Sequence, residues 1–355
     1  MSSDNIITIA SAGSGKSTSI VENALLKEND QVLITTFTVE CAEELKKIII
    51  EKVKTVPKNI IIMTWMSFLI QECIRPYQLV AYGTQITRPV FIQGRSAIYS
   101  KRTDYKHFFN SNGDIYSDKL SEFACLCDEK SQGKVITRLE KVFKRIYIDE
   151  FQDFAGYDFE LVKKILSSNI RVKIVADPRQ GTYSTNESAK NGKYKKSGVK
   201  DLIELLEKNK LCTIELNNWS YRCNQMICSI ADKLYPEFEP TISKNIALTG
   251  HDGVFVVKER YVDDYIKKYK PVALRYDKKT KWQDEKIKNF GAVKGRTYDR
   301  VLILPNGPIL DFLSGRNFKS PAKYYVGFTR ARFSVAILYD DQVSIEGINE
   351  WKYEV

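Results

Sequence analysis

Short runs of apolar and β-branched residues alternate with longer segments of helical periodicity through the first two thirds of the chain. Because strands that alternate with helices pair in parallel, this rhythm predicts a parallel sheet flanked by helices. We interpret as strands the runs at residues 6–10, 32–36, 60–64, 146–148, 172–175 and 214–216.

The same rhythm returns near the end of the chain, at residues 254–257, 272–274, 301–304 and 335–338. A second α/β sheet is therefore predicted, and 355 residues suffice for two domains with separate cores. We expect a first domain over residues 1–213 and a second over 214–355. Within the first domain, the alternation of strands and helices is interrupted at about residues 75–140. This segment is rich in aromatic and basic side chains, and we interpret it as an insertion.

The amino-acid composition disfavours several classes of catalytic and metal site. Only two histidines are present, which disfavours histidine triads and two-histidine metal sites, and the seven cysteines are expected to be reduced thiols. The N-terminus has no basic leader, and no run is apolar enough to span a bilayer. We expect a cytoplasmic protein without a membrane partner, whose chemistry depends on carboxylates, Lys and Arg.

The net charge of +11 favours a polyanionic partner. Two basic stretches, Lys190 to Lys200 and Lys267 to Lys288, also contain aromatic residues. This mixture suits single-stranded nucleic acid, in which cations neutralise phosphates and rings stack on bases. An ordinary solvated loop explains either stretch, taken singly, about equally well.

The sequence "IASAGSGKSTSIVENALL", from Ile9 to Leu26, has the spacing of a phosphate-binding loop with Ala10 in the first glycine position. Lys16 is expected to reach the β and γ phosphates, and the Ser17 hydroxyl to bind Mg²⁺. Backbone N–H groups of such a loop point at phosphate oxygens. The expected nucleotide contacts are Ala10, Ser11, Ala12, Gly13, Ser14, Gly15, Lys16, Ser17 and Thr18.

A pair of carboxylates follows the predicted strand 146–148, within "RIYIDEFQDF". Ligands of parallel sheets gather where strands end, and a triphosphatase needs one carboxylate for the metal and one for the attacking water. We expect Asp149 to hold Mg²⁺ and Glu150 to act as the general base.

These segments and five others, in the right order, resemble superfamily 1 helicases of the UvrD/Rep type. The additional matching segments are "TTFTVECAEELKKII", "MTWMSF", "VADPRQGTY", "NNWSYRCN" and "YYVGFTRAR". The ordered set spans nearly the whole chain. The resemblance implies two RecA-like P-loop NTPase domains that use ATP and Mg²⁺.

The resemblance also assigns roles to single residues. It implies that Gln180 senses the γ phosphate, that Arg222 and Arg330 reach it from the second domain, and that Tyr221 and Gly295 contact the nucleotide. Four further residues fall where relatives contact the nucleic acid strand: Thr36, Phe37, Thr64 and Tyr183. Core packing is the alternative for the two aromatic residues.

Some positions depart from the family pattern. Thr185 replaces a tryptophan that stacks on DNA in relatives, and Gly291 and Thr297 replace a histidine and a glutamate of the fifth motif. The motif half "KGRTYDRV" is similar to the RecD branch, although the whole set favours movement from 3′ to 5′. Only about seventy residues separate Arg222 from Lys294, so the large insertion of the second domain is expected to be absent.

We therefore predict an ATP-dependent helicase or translocase that acts on single-stranded or tailed duplex DNA. One alternative is a nucleic-acid-stimulated ATPase that works within a larger complex, with a protein partner and without autonomous unwinding. A P-loop kinase or phosphotransferase is an alternative of another class. A nucleic-acid-binding module with decayed catalysis is disfavoured because the expected catalytic residues are all present.

Overall fold

The computed structural model describes residues 4–282, 286–316 and 321–353. Within them the chain forms two compact units. Unit 1 contains the residues up to Ile9 and Lys16–Leu216, and unit 2 contains Ala10–Gly15 and the residues from Asn217 onward.

The strands bear out the predicted alternation. The strands predicted at 146–148, 172–175, 214–216, 254–257 and 272–274 are longer by one or two residues, the strand predicted at 301–304 spans Tyr298–Ile303, and the strand predicted at 335–338 begins at Ala331. In chain order they are β1 Ile6–Ala10, β2 Val32–Thr36, β3 Ile60–Thr64, β4 Pro89–Val90, β5 Ile115–Tyr116, β6 Arg145–Ile148, β7 Arg171–Ala176, β8 Thr213–Asn217, β9 Trp219–Ser220, β10 Ile242–Ser243, β11 Gly253–Val257, β12 Val272–Arg275, β13 Lys288–Asn289, β14 Tyr298–Ile303, β15 Ala331–Leu338 and β16 Ile348–Glu350.

Helices follow most of these strands. They are α1 Lys16–Leu25, α2 Val39–Val53, α3 Trp65–Phe68, α4 Gln78–Tyr82, α5 Tyr105–Phe108, α6 Leu120–Lys130, α7 Lys134–Val142, α8 Tyr157–Leu166, α9 Val199–Lys208, α10 Gln225–Asp232, α11 Val262–Tyr269, α12 Gly307–Leu313 and α13 Pro321–Phe328. A π-helical segment, Leu69–Ile74, continues α3.

The main sheet of unit 1 has the strand order β3-β2-β6-β7-β1-β8. Its neighbouring strands are parallel, for example β2 with β6 and β7 with β1. Alternate residues face opposite sides, so Val32 and Ile34 pack with α1 and α2, while Leu33 packs into the larger core with α6, α8 and α9. Both faces are covered, as expected for a parallel sheet.

The main sheet of unit 2 has the order β13-β12-β14-β15-β11-β16 and is also parallel. One face packs against α10, α12 and α13, and the other against α11 and Trp351. Two six-stranded parallel sheets with helices on both faces, within the described residues, are the architecture of two RecA-like domains, and the predicted fold class is confirmed.

The segment interpreted as an insertion is only partly irregular. Short elements, α4, β4, α5 and β5, occupy residues 78–116, whereas α6 and α7 are regular helices. Phe123, Ala124 and Cys127 of α6 are fully buried in the main core of unit 1. The predicted irregular pattern is therefore wrong for residues 120–142.

The two basic stretches adopt different structures. The stretch from Lys190 to Lys200 contains two short 3₁₀ turns and the first two residues of α9. The stretch from Lys267 to Lys288 contains the end of α11 and strand β12, and residues 283–285 within it lie outside the described residues. In the described part of the chain, no helix has the length and apolar character needed to cross a bilayer.

Candidate functional site

The phosphate loop lies between the end of β1 and the start of α1, as its sequence predicts. Gly13 and Gly15 have φ angles of +73° and +80°, a region that side chains other than glycine rarely adopt. A Cβ placed on Gly15 would meet no atom within 4 Å. The Ser14 hydroxyl is buried and has no hydrogen-bond partner in the described part of the chain. Open space and an unsatisfied hydroxyl at a strand-to-helix loop fit a phosphate group.

The loop residues Ala10–Gly15 belong to unit 2, and within that unit their backbone packs against a segment that contains two predicted site residues. The Tyr221 N–H donates to the Gly13 carbonyl at 2.8 Å, and the Ser220 hydroxyl donates to the Ala12 carbonyl at 2.8 Å. A Cβ on Gly13 would lie 2.6 Å from the Cβ of Arg222. The structure therefore brings Tyr221, which is 59% exposed, and Arg222 to the phosphate loop.

Three neighbouring strands of unit 1 direct polar residues to one edge of the sheet. β6, β7 and β1 are adjacent and parallel, so their carboxyl ends coincide. Asp149 follows β6, Asp177 follows β7, and Lys16 begins the helix that follows β1. This edge is the one that the sequence assigned to the nucleotide.

Ser17 and Asp149 are in direct contact, because the Ser17 hydroxyl donates to Asp149 Oδ2 at 3.0 Å. Asp149 is 2% exposed. Burial, reinforced by the charge of Glu150, raises the pKa of Asp149 to about 7, although Lys16 and the hydrogen bond from Ser17 act in the opposite direction. A nearby cation would stabilise the ionised form of this buried carboxylate.

Asp177 is the centre of a second polar cluster at this edge. Its Oδ1 accepts from Arg179 Nε at 3.0 Å, its Oδ2 accepts from Gln180 Nε2 at 2.8 Å, and Lys16 Nζ lies 3.9 Å from Oδ2. Burial alone would raise the pKa of Asp177, but Arg179, Lys16 and the Gln180 hydrogen bond lower it overall. Asp177 thereby positions Lys16 and Gln180 relative to each other.

Glu150 lies beside Asp149 in a left-handed backbone conformation, with φ of +58°. The Gln152 amide donates to Glu150 Oε2, and its carbonyl oxygen accepts from the Asp177 N–H at 3.0 Å. Gln152 is fully buried. It therefore links the predicted general base to the Asp177 cluster.

Asp177 and Gln152 are the two site residues that the sequence reasoning missed. Both lie in segments that carry other predicted site residues, "VADPRQGTY" and "RIYIDEFQDF". The available signal for Asp177 was its place directly after an apolar strand, which is the same signal that identified Asp149. Gln152 had no comparable signal, because its role depends on contacts between two strand ends.

The residues predicted to contact nucleic acid occupy different environments. Thr36 is fully buried, and its hydroxyl has no hydrogen-bond partner among the residues described. Thr64 is half-buried and caps α3 by accepting from the Ser67 N–H at 3.2 Å. Phe37 and Tyr183 lie together, with ring centroids 6.1 Å apart, and Tyr183 is 39% exposed. The structure brings these two rings into one surface and does not bring Thr36 to it.

The other predicted site residues of unit 2 are Arg330, Arg222 and Gly295. Arg330 is 1% exposed, and its guanidinium donates to the carbonyls of Val326 and Arg296, at 3.2 and 3.3 Å. Arg222 Nη1 donates to the carbonyl of Thr329, next to Arg330, at 3.1 Å. Gly295 has a φ of +83°.

The donor set of unit 1 fits a nucleotide with a divalent cation. The Ser17 hydroxyl and the Asp149 carboxylate are hard oxygen ligands of the type that Mg²⁺ prefers, and Lys16 provides a cation for phosphate oxygens. Fold, loop and carboxylates together define a P-loop NTPase.

A family model described as "AAA domain" matches residues 1–186. The match covers more than half of the chain, which therefore belongs to this family. No curated protein sequence matches the chain.

The chain is also similar to solved helicase structures at low sequence identity. For the crystal structure of Arterivirus nonstructural protein 10 (helicase), identity is 15%, the TM-score is 0.46, and the match covers 94% of this chain and 59% of that one. For the complex structure of the same protein with DNA, identity is 13%, the TM-score is 0.48, and the match covers 94% of this chain and 61% of that one. For the structure of the PRRSV helicase, identity is 13%, the TM-score is 0.47, and the match covers 94% of this chain and 52% of that one. The chain thus spans about half to three fifths of the length of these proteins.

Proposed function

We propose that this chain is a superfamily 1 motor of the UvrD/Rep-like type, an ATP-dependent helicase or translocase that moves from 3′ to 5′ along single-stranded DNA. The observation that carries the proposal is the convergence of Lys16, Ser17, Asp149, Glu150 and Gln180 at the carboxyl edge of one parallel sheet. We assign the first domain to residues 1–213 and the second to 214–355.

In this proposal each residue of the edge has a separate task. Lys16 neutralises the β and γ phosphates, while Ser17 and Asp149 hold Mg²⁺, which when bound offsets the charge of the same phosphates. Glu150, oriented by Gln152, accepts a proton from the attacking water. Gln180, held by Asp177, lies next to Lys16 and senses the γ phosphate.

The ordered motifs assign Arg222 and Arg330 to the same nucleotide. Positive charge stabilises the phosphoryl oxygens in the transition state, so either arginine can couple hydrolysis to nucleotide-dependent movement. Phe37 and Tyr183 support a single-stranded partner, because paired, partly exposed rings form a stacking surface for bases.

A second candidate is a nucleic-acid-stimulated ATPase subunit of a larger complex that does not unwind DNA by itself. The short spacing between Arg222 and Lys294 favours it, since that spacing leaves little room for a large second-domain insertion. A small-molecule kinase is less favoured, because it accounts for Lys16 and Asp149 but not for Gln180 with two arginines.

The test measures ATP hydrolysis and strand displacement with 3′-tailed, 5′-tailed and blunt DNA, beside matched RNA. We expect hydrolysis stimulated by single-stranded DNA, displacement of the 3′-tailed duplex, and loss of both in Lys16→Ala and Glu150→Gln. Glu204→Gln, on the exposed face of α9, is the control and should remain active. Stimulated hydrolysis without strand displacement would favour the second candidate. ATP hydrolysis that no nucleic acid stimulates would exclude both the helicase and the ATPase subunit.

A further inference from the structure

Ser11, the second residue of the phosphate loop, is 1% exposed, and each of its polar groups has a hydrogen-bond partner. Its N–H donates to the Asn217 carbonyl at 2.8 Å, and its carbonyl accepts from the Ser14 N–H at 3.3 Å. Its hydroxyl lies 3.3 Å from the hydroxyl of Thr241. Thr241 belongs to the same unit as the loop residues Ala10–Gly15, and it lies outside every motif that resembles the helicases.

The side chain of Thr241 is fixed by the carboxylate of Asp232, the last residue of α10. Asp232 Oδ1 accepts from the Thr241 hydroxyl at 2.9 Å, and Oδ2 accepts from the Thr241 N–H at 2.6 Å. Gln225, the first residue of the same helix, donates through Nε2 to the Thr241 carbonyl at 3.0 Å. Thr241 is 4% exposed, so water competes little for these bonds. The two ends of α10 therefore hold Thr241 in one orientation.

The hydrogen bond between the two hydroxyls has a defined direction. A hydroxyl group has one hydrogen to donate and two lone pairs with which to accept. Because the Thr241 hydroxyl donates its hydrogen to Asp232, it accepts from the Ser11 hydroxyl. The carboxylate behind Thr241 polarises this hydroxyl and strengthens it as an acceptor. Asp232, Thr241 and Ser11 thus form a directed chain of hydrogen bonds that ends in the phosphate loop.

An anchored Ser11 favours phosphate binding for an entropic reason. A phosphate loop binds through several backbone N–H groups that point at one anion together. The loop contains Gly13 and Gly15, and glycine loses more conformational freedom than any other residue when its backbone is fixed. A loop that is already held at Ser11 loses less of this freedom when the nucleotide binds, which raises the affinity. Alanine or glycine in place of Ser11 would lack the anchoring hydroxyl.

We infer that Thr241 and Asp232 are positioning residues for the triphosphate, because they hold Ser11, and through it the loop backbone, in the conformation that binds phosphate. Since they act through Ser11, their effect falls on nucleotide affinity and leaves the chemical step nearly unchanged. The inference rests on the proposed function, because it assigns two further residues to the same nucleotide site.

The experiment measures the dissociation constant of a fluorescent ATP analogue, without nucleic acid, for the full chain and four variants. These are Ser11→Ala, Thr241→Val, the two combined, and Thr241→Ser. We expect each loss of a hydroxyl to weaken binding roughly fivefold, which is the contribution of one neutral hydrogen bond, and Thr241→Ser to bind like the unmodified chain. The combined variant should bind no more weakly than either single variant, because both substitutions remove the same bond.

ATP hydrolysis stimulated by single-stranded DNA gives a second readout. In Thr241→Val, KM for ATP should rise by the same factor as the dissociation constant, while kcat changes by less than about twofold. Ser11→Ala removes a single oxygen atom, so it tests the inference by itself if Thr241→Val does not fold.

Thr249 provides a matched control in the same unit. Its N–H and hydroxyl donate to the two carboxylate oxygens of Asp252 at 2.7 and 2.8 Å, as those of Thr241 do to Asp232. However, Thr249 is exposed, and its hydroxyl accepts from Arg300 Nη2 at 2.7 Å instead of from the loop. Thr249→Val should therefore leave both the dissociation constant and KM unchanged.

Three results would overturn the inference: unchanged affinity in Ser11→Ala, losses that add in the combined variant, or a fall in kcat at constant KM. Additive losses would show that the two hydroxyls act separately. If the unmodified chain binds the analogue and the variants bind it equally well, only the positioning role is wrong. If the unmodified chain binds no nucleotide, the proposed function fails, and the positioning role fails with it.

Discussion

The hydroxyl of Ser17, in the first turn of α1, donates a hydrogen bond to Asp149 Oδ2, at the end of β6, across 3.0 Å. These residues are 132 positions apart in sequence. Their contact places the two oxygen ligands of the proposed Mg²⁺ site side by side. It also holds the start of α1 against the strand end that presents Glu150.

Replacing Ser17 with alanine tests that contact. Ser17→Ala removes one proposed Mg²⁺ ligand and one hydrogen bond to the buried Asp149, so we expect kcat/KM for ATP to fall by roughly 100-fold, or about 3 kcal/mol of transition-state stabilisation. The measurement is ATP hydrolysis as a function of Mg²⁺ concentration. Ser19→Ala, in the same helix, should behave like the unmodified chain. An unchanged Mg²⁺ dependence in Ser17→Ala would contradict the assignment.

Asp177 offers a prediction about stability. Arg179 is 3% exposed and is held by Asp177 through its side chain and its backbone N–H. Removing one partner of a buried ion pair costs roughly 3 to 5 kcal/mol. We therefore expect Asp177→Asn to lower the free energy of unfolding in urea by about that amount.

The matched control is the exposed pair of Lys52 and Glu22, whose side-chain nitrogen and oxygen lie 2.8 Å apart. Glu22→Gln should change the free energy of unfolding by about 1 kcal/mol at most, because surface pairs contribute little. Similar losses of unfolding free energy in both variants would mean that the Asp177 cluster stabilises the fold no more than an exposed ion pair does.

The structure clarifies which features the sequence can predict. Strands such as β2 and β6 are short apolar runs in a parallel sheet covered on both faces, so they stand out without any tertiary information. Asp149 and Glu150 follow one of them directly. By contrast, nine successive residues of α6, Leu120 to Asp128, are buried, including the polar Ser121, Glu122 and Asp128. This part of the helix therefore has no solvent-exposed face whose polar positions would mark it as a helix in the sequence.

Other features depend on contacts between distant segments. The burial of Thr36 comes from its place in a central strand, and Gln152 owes its role to Glu150 on one side and Asp177 on the other. Nothing in local composition encodes such pairs. The motif resemblance could name Gln180, but only the structure shows that Asp177 holds it.

His251 in unit 2 leads to a prediction about pH. Its ring stacks between Phe255 and Tyr269, with centroids 4.2 and 3.7 Å away, and its Nε2 lies 2.8 Å from the Tyr265 hydroxyl. Burial, with the charges of Arg300 and Lys268 and against that of Asp252, lowers the pKa of His251 to about 4. As the pH falls below about 6.5, His251 therefore binds a proton in the unfolded chain before it does so in the folded protein.

Because the unfolded chain binds this proton first, the contribution of His251 to stability is complete above about pH 6.5 and is lost as the pH falls toward 4. We expect His251→Gln to lose less stability than the unmodified chain between pH 7 and pH 4.5. Melting temperatures of both proteins across that range provide the check. Parallel curves for the two proteins would show that His251 is not responsible.

The two glycines of the phosphate loop provide a matched comparison of backbone strain and contact. Gly13 and Gly15 have similar positive φ angles, so alanine at either position incurs a similar conformational cost of roughly 1 to 2 kcal/mol. A Cβ at Gly13 would also lie 2.6 Å from Arg222 Cβ and 2.9 Å from Ser220 Oγ, whereas a Cβ at Gly15 meets nothing within 4 Å. We expect Gly13→Ala to lower the free energy of unfolding clearly more than Gly15→Ala does. Urea unfolding of both variants measures the difference, and equal losses would show that the loop does not pack against Arg222 in solution.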